Sequence, residues 1–264
     1  MIALVTGASS GIGRAMALGF AKRGFNLIIV ARRVQRLVEL KQEITEKYGV
    51  KVRIFAHDLS KVDECKKLFE EVSRVNVDVV VNSAGFGVFG SFDETDLDDE
   101  LKMIDVNIKA VHVLTKLFLQ KFKQKNRGFI LNVASIAGFM AGPQFSSYYA
   151  SKSYVIQLTR AIHEELRYIK SNVYVGAFCP GPVRTEFNEI AGAEFATSGI
   201  SDVEAAEYAI EKMLDGQMII IPTFGTKILR AAAKLAPDDI VLAATGAVQR
   251  SRKVIEKDTD IIRF

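Results

Sequence analysis

The sequence predicts a doubly wound α/β fold: a parallel sheet of about seven strands with helices on both faces, followed by a C-terminal helical extension. Three observations carry this expectation. Seven short runs are largely apolar and rich in β-branched residues, as in strands covered on both faces. Amphipathic segments separate them, so strand and helix alternate, and right-handed crossovers then bring every strand's carboxyl end to one edge. A glycine-rich turn follows the first run directly and opens the first helix. At 264 residues the chain suits one large α/β domain better than two.

The elements follow in order. Ile2–Val5 is the first strand, stopped by the turn at Gly7, and Arg14–Arg23 is the first helix. Leu27–Val30 leads into Ala31-Arg32-Arg33 and a helix at Val34–Tyr48. Val52–Ala56 leads to Asp58-Leu59, and Ser60 with Asp63 has helix-start spacing before Val62–Arg74. Val77–Val81 runs into Asn82, and Leu97–Gln124 has helical period throughout. Phe129–Val133 ends just before Ser135, and Ser151–Ile169 is the next helix. Val173–Ala177 leads to Pro180-Gly181-Pro182. Ser201 with Glu204 forms a capping box for Asp202–Leu214, and Met218–Ile221 is the last strand. Two regions break the rhythm. Glu186–Ile200 is long and weakly patterned, which suggests a mobile lid. Residues 226–264 form a helical extension of the domain 1–225, interrupted at Pro237.

Bulk properties exclude several functions. The net charge of +4 is scattered along the chain rather than gathered into a basic stripe, so no nucleic-acid partner is expected. Cys65 and Cys179 are far apart in sequence, which fits reduced cytosolic thiols better than a disulfide or zinc framework. His57, His112 and His163 lack metal-ligand spacing, so no metal site is expected. The N-terminus carries no targeting signal and no apolar stretch is long enough to span a bilayer, so a cytoplasmic location is expected.

The chemistry begins at Thr6-Gly7-Ala8-Ser9-Ser10-Gly11-Ile12-Gly13. Gly7 permits a tight turn, Gly11 a close approach of backbone to phosphate, and Gly13 close helix–strand packing. The helix start supplies free N–H groups and a positive dipole end for a pyrophosphate. The spacing differs from the usual G-x-G-x-x-G fingerprint. Further on, Asn82-Ser83-Ala84-Gly85 ends the fourth strand. Thirteen residues after Ser135 comes Tyr148-Tyr149-Ala150-Ser151-Lys152, a Tyr-x-x-x-Lys. One helical turn puts Tyr148 and Lys152 on one face. A phenol ordinarily near pKa ~10 can protonate a developing alkoxide if a neighbouring ammonium favours its ionised form. Ser135 can hold the substrate oxygen. Tyr149 has the wrong offset to Lys152.

This set of motifs resembles the short-chain dehydrogenase/reductase family over residues 2–222. The resemblance implies a Rossmann-like fold and hydride transfer between a nicotinamide and a carbonyl or alcohol carbon. It implies catalytic roles for Asn107, Ser135, Tyr148 and Lys152, with Asn107 perturbing its helix and holding a water that links Lys152 to solvent. The implied cofactor contacts are Gly7, Ser9, Ser10, Gly11, Ile12, Gly13, Asp58, Leu59, Asn82, Ala84, Gly85, Tyr148, Lys152, Pro180, Gly181, Val183 and Thr185. It also implies a homodimer or homotetramer joined through the segments 97–124 and 148–169.

The end of the second strand points to NADP(H). NAD-preferring folds place a carboxylate there for the ribose 2′-hydroxyl, and here Ala31 takes that place, with Arg32 and Arg33 following. Guanidinium groups pair with a 2′-phosphate, which a carboxylate would repel. Phe86, Val88, Phe89, Phe139, Met140, Phe145 and Phe187 fall in loops expected to ring the nicotinamide, which suggests an apolar substrate. No arginine is clearly placed by the sequence to bind a substrate carboxylate. The reading is an NADPH-dependent reductase of an apolar ketone or aldehyde. The alternatives are a 3-oxoacyl-thioester reductase of lipid metabolism, or a non-catalytic NADPH-binding regulator.

Overall fold

Seven parallel strands form the sheet of the computed structural model, which describes residues 1–193 and 199–252. In chain order the first half is β1 (Ile2–Thr6), α1 (Gly11–Lys22), β2 (Asn26–Ala31), α2 (Val34–Tyr48), β3 (Val52–Ala56), α3 (Val62–Glu71), β4 (Val79–Asn82) and α4 (Leu97–Ile104). A π-helical turn (Asp105–Ala110) joins α4 to α5 (Val111–Gln124), and β5 (Gly128–Val133) ends in a 3₁₀ turn (Ile136–Phe139). The rest comprises α6 (Ser146–Tyr168), β6 (Val173–Phe178), β7 (Val183–Arg184), α7 (Phe187–Ala191), β8 (Ile200–Ser201), α8 (Asp202–Leu214), β9 (Ile219–Ile220), α9 (Phe224–Leu235) and α10 (Asp238–Arg250).

The expected doubly wound, Rossmann-like sheet is present, its strands in the order β3-β2-β1-β4-β5-β6-β9. Alternate residues of one strand feed two different cores, because successive side chains point to opposite faces. Ala3 and Val5 pack with α1, α2 and α8 through Phe20, Leu37 and Ile210. Leu4 packs on the other face with α3, α5 and α6 through Leu68, Phe118 and Leu166. Phe118 and Phe122 are wholly buried, and each such ring contributes about 1.5–3 kcal/mol of hydrophobic stabilisation.

Local differences from the sequence reading have local causes. The Ser60 hydroxyl and N–H both donate to the Asp58 carboxylate, so Ser60 does not cap α3, which begins after Lys61. The capping box of Ser201 and Glu204 forms as expected. The long helix expected over 97–124 is interrupted by the π turn that contains Asn107. On α5, Val111, Leu114 and Thr115 face the subunit's own core, while Leu101 on α4 is exposed. The segment expected as a lid contains α7, capped by Gly192 in the left-handed conformation, and β7 pairs with β8. Residues 194–198 of that segment, and 253–264 of the extension, lie outside the described residues.

The extension folds as two helices. Thr223 caps α9 by accepting from the Thr226 N–H, and no side chain of α9 is buried. Arg230 nevertheless lies 4.6 Å over the Phe139 ring, which pins α9 to the 3₁₀ turn. α10 starts after Pro237 with Asp238 and Asp239 in its first turn, where negative charge suits the dipole. No helix among the described residues is long and apolar enough to cross a membrane.

Candidate active site

The carboxyl ends of the strands border a cavity of about 500 Å³. One end of it is built by the turn between β1 and α1. Gly7 has φ +66°, a left-handed conformation, and a Cβ there would lie 2.8 Å from the Ala84 backbone. A Cβ on Gly13 would strike the Gly7 carbonyl oxygen, so the third glycine lets the helix press on the turn itself. The Ser10 side chain makes no capping bond to α1, which leaves the first-turn N–H groups to whatever occupies the cavity. Gly7, Ser9, Ser10, Gly11, Ile12 and Gly13 all border it.

Arg32 and Arg33, at the end of β2, reach the same end. The Arg33 guanidinium donates to the Ser9 hydroxyl at 3.0 Å and to the Ser10 hydroxyl at 2.7 Å, and it pairs with the Glu186 carboxylate at 3.1 Å. Arg36 also holds Glu186. Burial alone would raise the Glu186 carboxyl, but Arg36 and Arg33 together keep it below its ordinary value. Asp58 and Leu59 border the cavity at the end of β3, as do Ala84 and Gly85 after β4. Pro180, Gly181, Val183 and Thr185 do so after β6. A Cβ on Gly11 would meet the Thr185 methyl at 3.0 Å, so these two turns touch.

Ser135, Tyr148 and Lys152 converge at the other end. Ser135 precedes the 3₁₀ turn and is fixed by accepting the Ala137 N–H at 3.1 Å. Tyr148 and Lys152 stand on α6, with the ammonium 5.7 Å from the phenol ring centroid. Lys152 donates to the Val133 carbonyl at 3.0 Å and is only 6% exposed. Burial pushes its ammonium down to about 8. Burial also pushes the Tyr148 phenol above its ordinary value, and the Ser135 hydroxyl works in the opposite direction. The sequence led us to expect a phenol brought toward working pH. In this geometry desolvation of the ring outweighs any help from the cation.

Asn82 and Asn107 do not border the cavity; both stand behind its wall. Asn107 is wholly buried in the π turn, where its side chain accepts from the Phe86 N–H and donates to the Phe86 carbonyl and the Ser151 hydroxyl. It thereby ties the loop after β4 to α6. Asn82 donates to Asn132 at 2.8 Å and to Thr115 at 3.1 Å, and Asn132 donates to Thr159. The sequence reading missed Asn132, Thr115 and Thr159, since isolated polar residues within apolar segments carry no spacing signal.

The apolar residues expected around the site divide. Phe86, Phe145 and Phe187 border the cavity. Val88 and Phe89 pack behind them with Met103 and Ala191, and Phe139 belongs to a separate core cluster. Tyr149, excluded by its offset, also borders the cavity, and its hydroxyl accepts from Gln249 of α10 at 2.7 Å. Glu186 and Arg252 are two further lining residues that sequence reasoning missed. His57 is held between Glu64 and Glu71. Among the described residues no cluster of three His, Cys, Asp or Glu side chains is arranged to hold a metal ion.

Comparison with known proteins places this geometry. Among curated relatives, the very-long-chain 3-oxoacyl-CoA reductase of Anas platyrhynchos is 32% identical over 198 residues, 73% of this chain and 63% of that protein. The chain thus covers less than two thirds of that relative's length. An uncharacterized oxidoreductase of Staphylococcus saprophyticus is 32% identical over 80% of this chain and 91% of its own. Among solved structures, a short-chain dehydrogenase from Sphingobium yanoikuyae in complex with NADPH has a TM-score of 0.81 at 28% identity, covering 88% of this chain and 93% of that one. An alcohol dehydrogenase from Thermococcus sibiricus complexed with 5-hydroxy-NADP has a TM-score of 0.71 at 28% identity, covering 83% and 94%. The short chain dehydrogenase family model matches residues 1–194, and the chain therefore belongs to that family of oxidoreductases.

Proposed function

We propose that this chain is an NADP(H)-dependent reductase of an apolar ketone or aldehyde, acting reversibly, with Tyr148 as its general acid. The observation that carries the proposal is the convergence of Ser135, Tyr148 and Lys152 at one end of a cavity whose other end is an uncapped glycine turn beside Arg33. Glycines let the turn pack this closely, since a Cβ at Gly7, Gly11 or Gly13 would meet Ala84, Thr185 or the Gly7 carbonyl, and the start of α1 is left without a side-chain cap, which suits a pyrophosphate lying on it.

A bound nicotinamide supplies the hydride; the remaining tasks fall to side chains. Ser135 holds the carbonyl oxygen by its hydroxyl, and Tyr148 gives that oxygen its proton as negative charge develops. Lys152 keeps a positive charge beside the phenol, so that the phenolate left after transfer is stabilised. Asn107 fixes the loop after β4 against α6 and so sets the distance between Lys152 and the cavity wall. Arg32 and Arg33 border the cavity beside the glycine turn, where guanidinium groups would suit a ribose 2′-phosphate, and Ala31 stands in place of a carboxylate that would repel it. The NADPH complex of the Sphingobium yanoikuyae enzyme supports this preference.

A second reading, a 3-oxoacyl-thioester reductase, is supported by the names of relatives such as that from Anas platyrhynchos. We also take the chain to be cytoplasmic and to act as a homodimer or homotetramer. The test is Tyr148→Phe against a ketone and aldehyde panel with NADPH. Loss of the general acid costs about 10²–10⁴-fold in turnover, with NADPH binding nearly unchanged by fluorescence titration. A variant within threefold of wild type ends the assignment.

A further inference from the structure

Glu186 stands between the two ends of the cavity. Its carboxylate is bonded to Arg33 and Arg36 beside the glycine turn. Its backbone opens α7, whose Phe187 and Ile190 line the cavity. The Glu186 carbonyl accepts the Ile190 N–H at 3.2 Å, so the residue that reaches the arginines also supports the first turn of α7. Phe187 lies 5.3 Å from the Tyr148 ring and 6.3 Å from the Phe145 ring, centroid to centroid. A Cβ on Gly87 would meet the Phe187 ring at 3.1 Å, so that ring is closely packed. At the far end of α7 the Ala191 carbonyl accepts the Phe89 N–H. Where Glu186 is held therefore decides where the wall beside Tyr148 is held.

A guanidinium has five N–H donors, and four of those on Arg33 are engaged within the chain. Its Nε and Nη2 donate to the Ser9 hydroxyl at 3.2 and 3.0 Å, Nη2 also to the Ser10 hydroxyl at 2.7 Å, and Nη1 to Glu186 at 3.1 Å. A phosphate is best met by two parallel N–H groups, and here one remains. Two such bonds require that Glu186 or a serine give up its place. Glu186 is the group that yields, because a carboxylate beside a phosphate is repelled, whereas a neutral hydroxyl can donate to it. Arg36 offers the displaced carboxylate a second partner. It borders a separate depression with Arg14, Glu39 and Glu43, which neither Tyr148 nor Phe187 lines.

Resting on the NADP(H) reading, we propose that Glu186 is a positioning residue that links the two ends of the cavity: a nucleotide carrying a 2′-phosphate displaces it from Arg33, Glu186 keeps Arg36 alone, and α7 loosens so that Phe187 and Ile190 make room beside Tyr148. A nucleotide without that phosphate leaves the latch as it is. The coupling is reciprocal, so removing the latch strengthens phosphate binding by the factor with which phosphate weakens the latch. Partly exposed ion pairs are worth little, and the expected factor is about two- to fivefold.

The test uses the full chain and two probes without a nicotinamide, 2′,5′-ADP and 5′-AMP. Amide hydrogen exchange over 187–192 is read by mass spectrometry, since the Ile190 and Gly192 N–H groups are bonded within α7. At saturation 2′,5′-ADP should speed this exchange about two- to fivefold relative to 5′-AMP. Glu186→Gln should exchange at the faster rate with either probe, and should bind 2′,5′-ADP more tightly than wild type by the same factor while binding 5′-AMP equally. A residue that served folding alone would respond to both probes alike. Tighter binding of 2′,5′-ADP than of 5′-AMP with no faster exchange overturns the proposal and leaves the NADP(H) reading intact. Equal binding of the two probes ends that reading and the proposal with it. Neither probe can take part in hydride transfer, so the reductase reading stands or falls separately, on Tyr148→Phe.

Discussion

Lys152 lowers the stability of the fold it serves, and replacing it should show by how much. The ammonium is 6% exposed, and burial brings its pKa from 10.5 down to about 8. Two and a half units at about 1.4 kcal/mol each make a penalty of about 3.5 kcal/mol for keeping the charge in the folded protein. The sign follows from proton counting. Between about pH 8 and 10.5 the unfolded chain binds a proton at this site that the folded chain does not, so the contribution to stability rises with pH across that window. Below about pH 8 the penalty is present in full. Lys152→Met removes the charge and keeps an apolar stem, but it leaves the Val133 carbonyl without its donor, which costs about 1–3 kcal/mol. The net expectation at pH 7 is a gain of roughly 0.5–2.5 kcal/mol, or about 1–10 °C in Tm for a chain of this size. Thermal melts of wild type and variant from pH 6 to 10.5 test this. The advantage of the variant should shrink as pH rises past about 8 and reverse before 10.5, where only the lost donor to the Val133 carbonyl remains, while reductase activity is lost at every pH. A variant less stable at pH 7, or a difference that does not change with pH, would refute the desolvation argument.

The remaining expectations concern the two ends of the cavity and the subunit surface. Arg33→Ala should weaken NADPH by about tenfold or more while moving NADH little, since charge-assisted bonds to phosphate are worth about 1.5–3 kcal/mol; equal losses for both cofactors would make Arg33 a surface charge. Glu186→Gln should tighten NADPH, because the carboxylate competes for Arg33 and Arg36; partly exposed pairs are worth about 0.2–1 kcal/mol, so the gain is at most about fivefold and shrinks with salt. Tyr149→Phe should cost far less turnover than Tyr148→Phe but loosen α10, seen as faster proteolysis of the extension, because it removes the hydroxyl that accepts from the Gln249 amide. Light scattering should give a dimer or tetramer at micromolar concentration, and a stable monomer would refute it.

How much of this was legible in the sequence depends on the range over which each constraint acts. The strands were legible because parallel strands buried on both faces are nearly continuous apolar runs, as Leu27–Val30 is throughout and Phe129–Val133 is but for Asn132. The glycine turn was legible because its demands are made by backbone on backbone within seven residues: φ +66° at Gly7, and no room for a Cβ at Gly13. Tyr148 and Lys152 were legible because one helical turn sets their spacing. Boundaries were less so. α6 begins at Ser146, five residues before the expected start, because the first turn of a helix need not show the apolar period that marks its middle.

Glu186 and Arg252 were not legible at all, for a reason that bears on how specificity arises in this molecule. Glu186 pairs with an arginine 153 positions earlier, and Gln249 places α10 on a tyrosine 100 positions earlier. Neither contact leaves a periodic trace, since a surface acid and a basic helix end look the same whether they are solvated or folded back over a cavity. Hydride transfer needs a fixed set of groups at fixed offsets, supplied here by α6 and the turns at the strand ends. Substrate choice needs only that some side chain reach the cavity wall, and the chain past residue 225 is free to supply it without disturbing the sheet. The reaction is therefore written in local motifs, whereas the substrate is written in contacts between distant segments. If that division holds, exchanging residues 226–264 for another extension should alter the relative turnover of a panel of ketones and aldehydes and leave the NADPH-to-NADH ratio unchanged. A change in cofactor ratio would show that the two ends of the cavity are also coupled through Thr226, packed on Gly181 at the turn after β6.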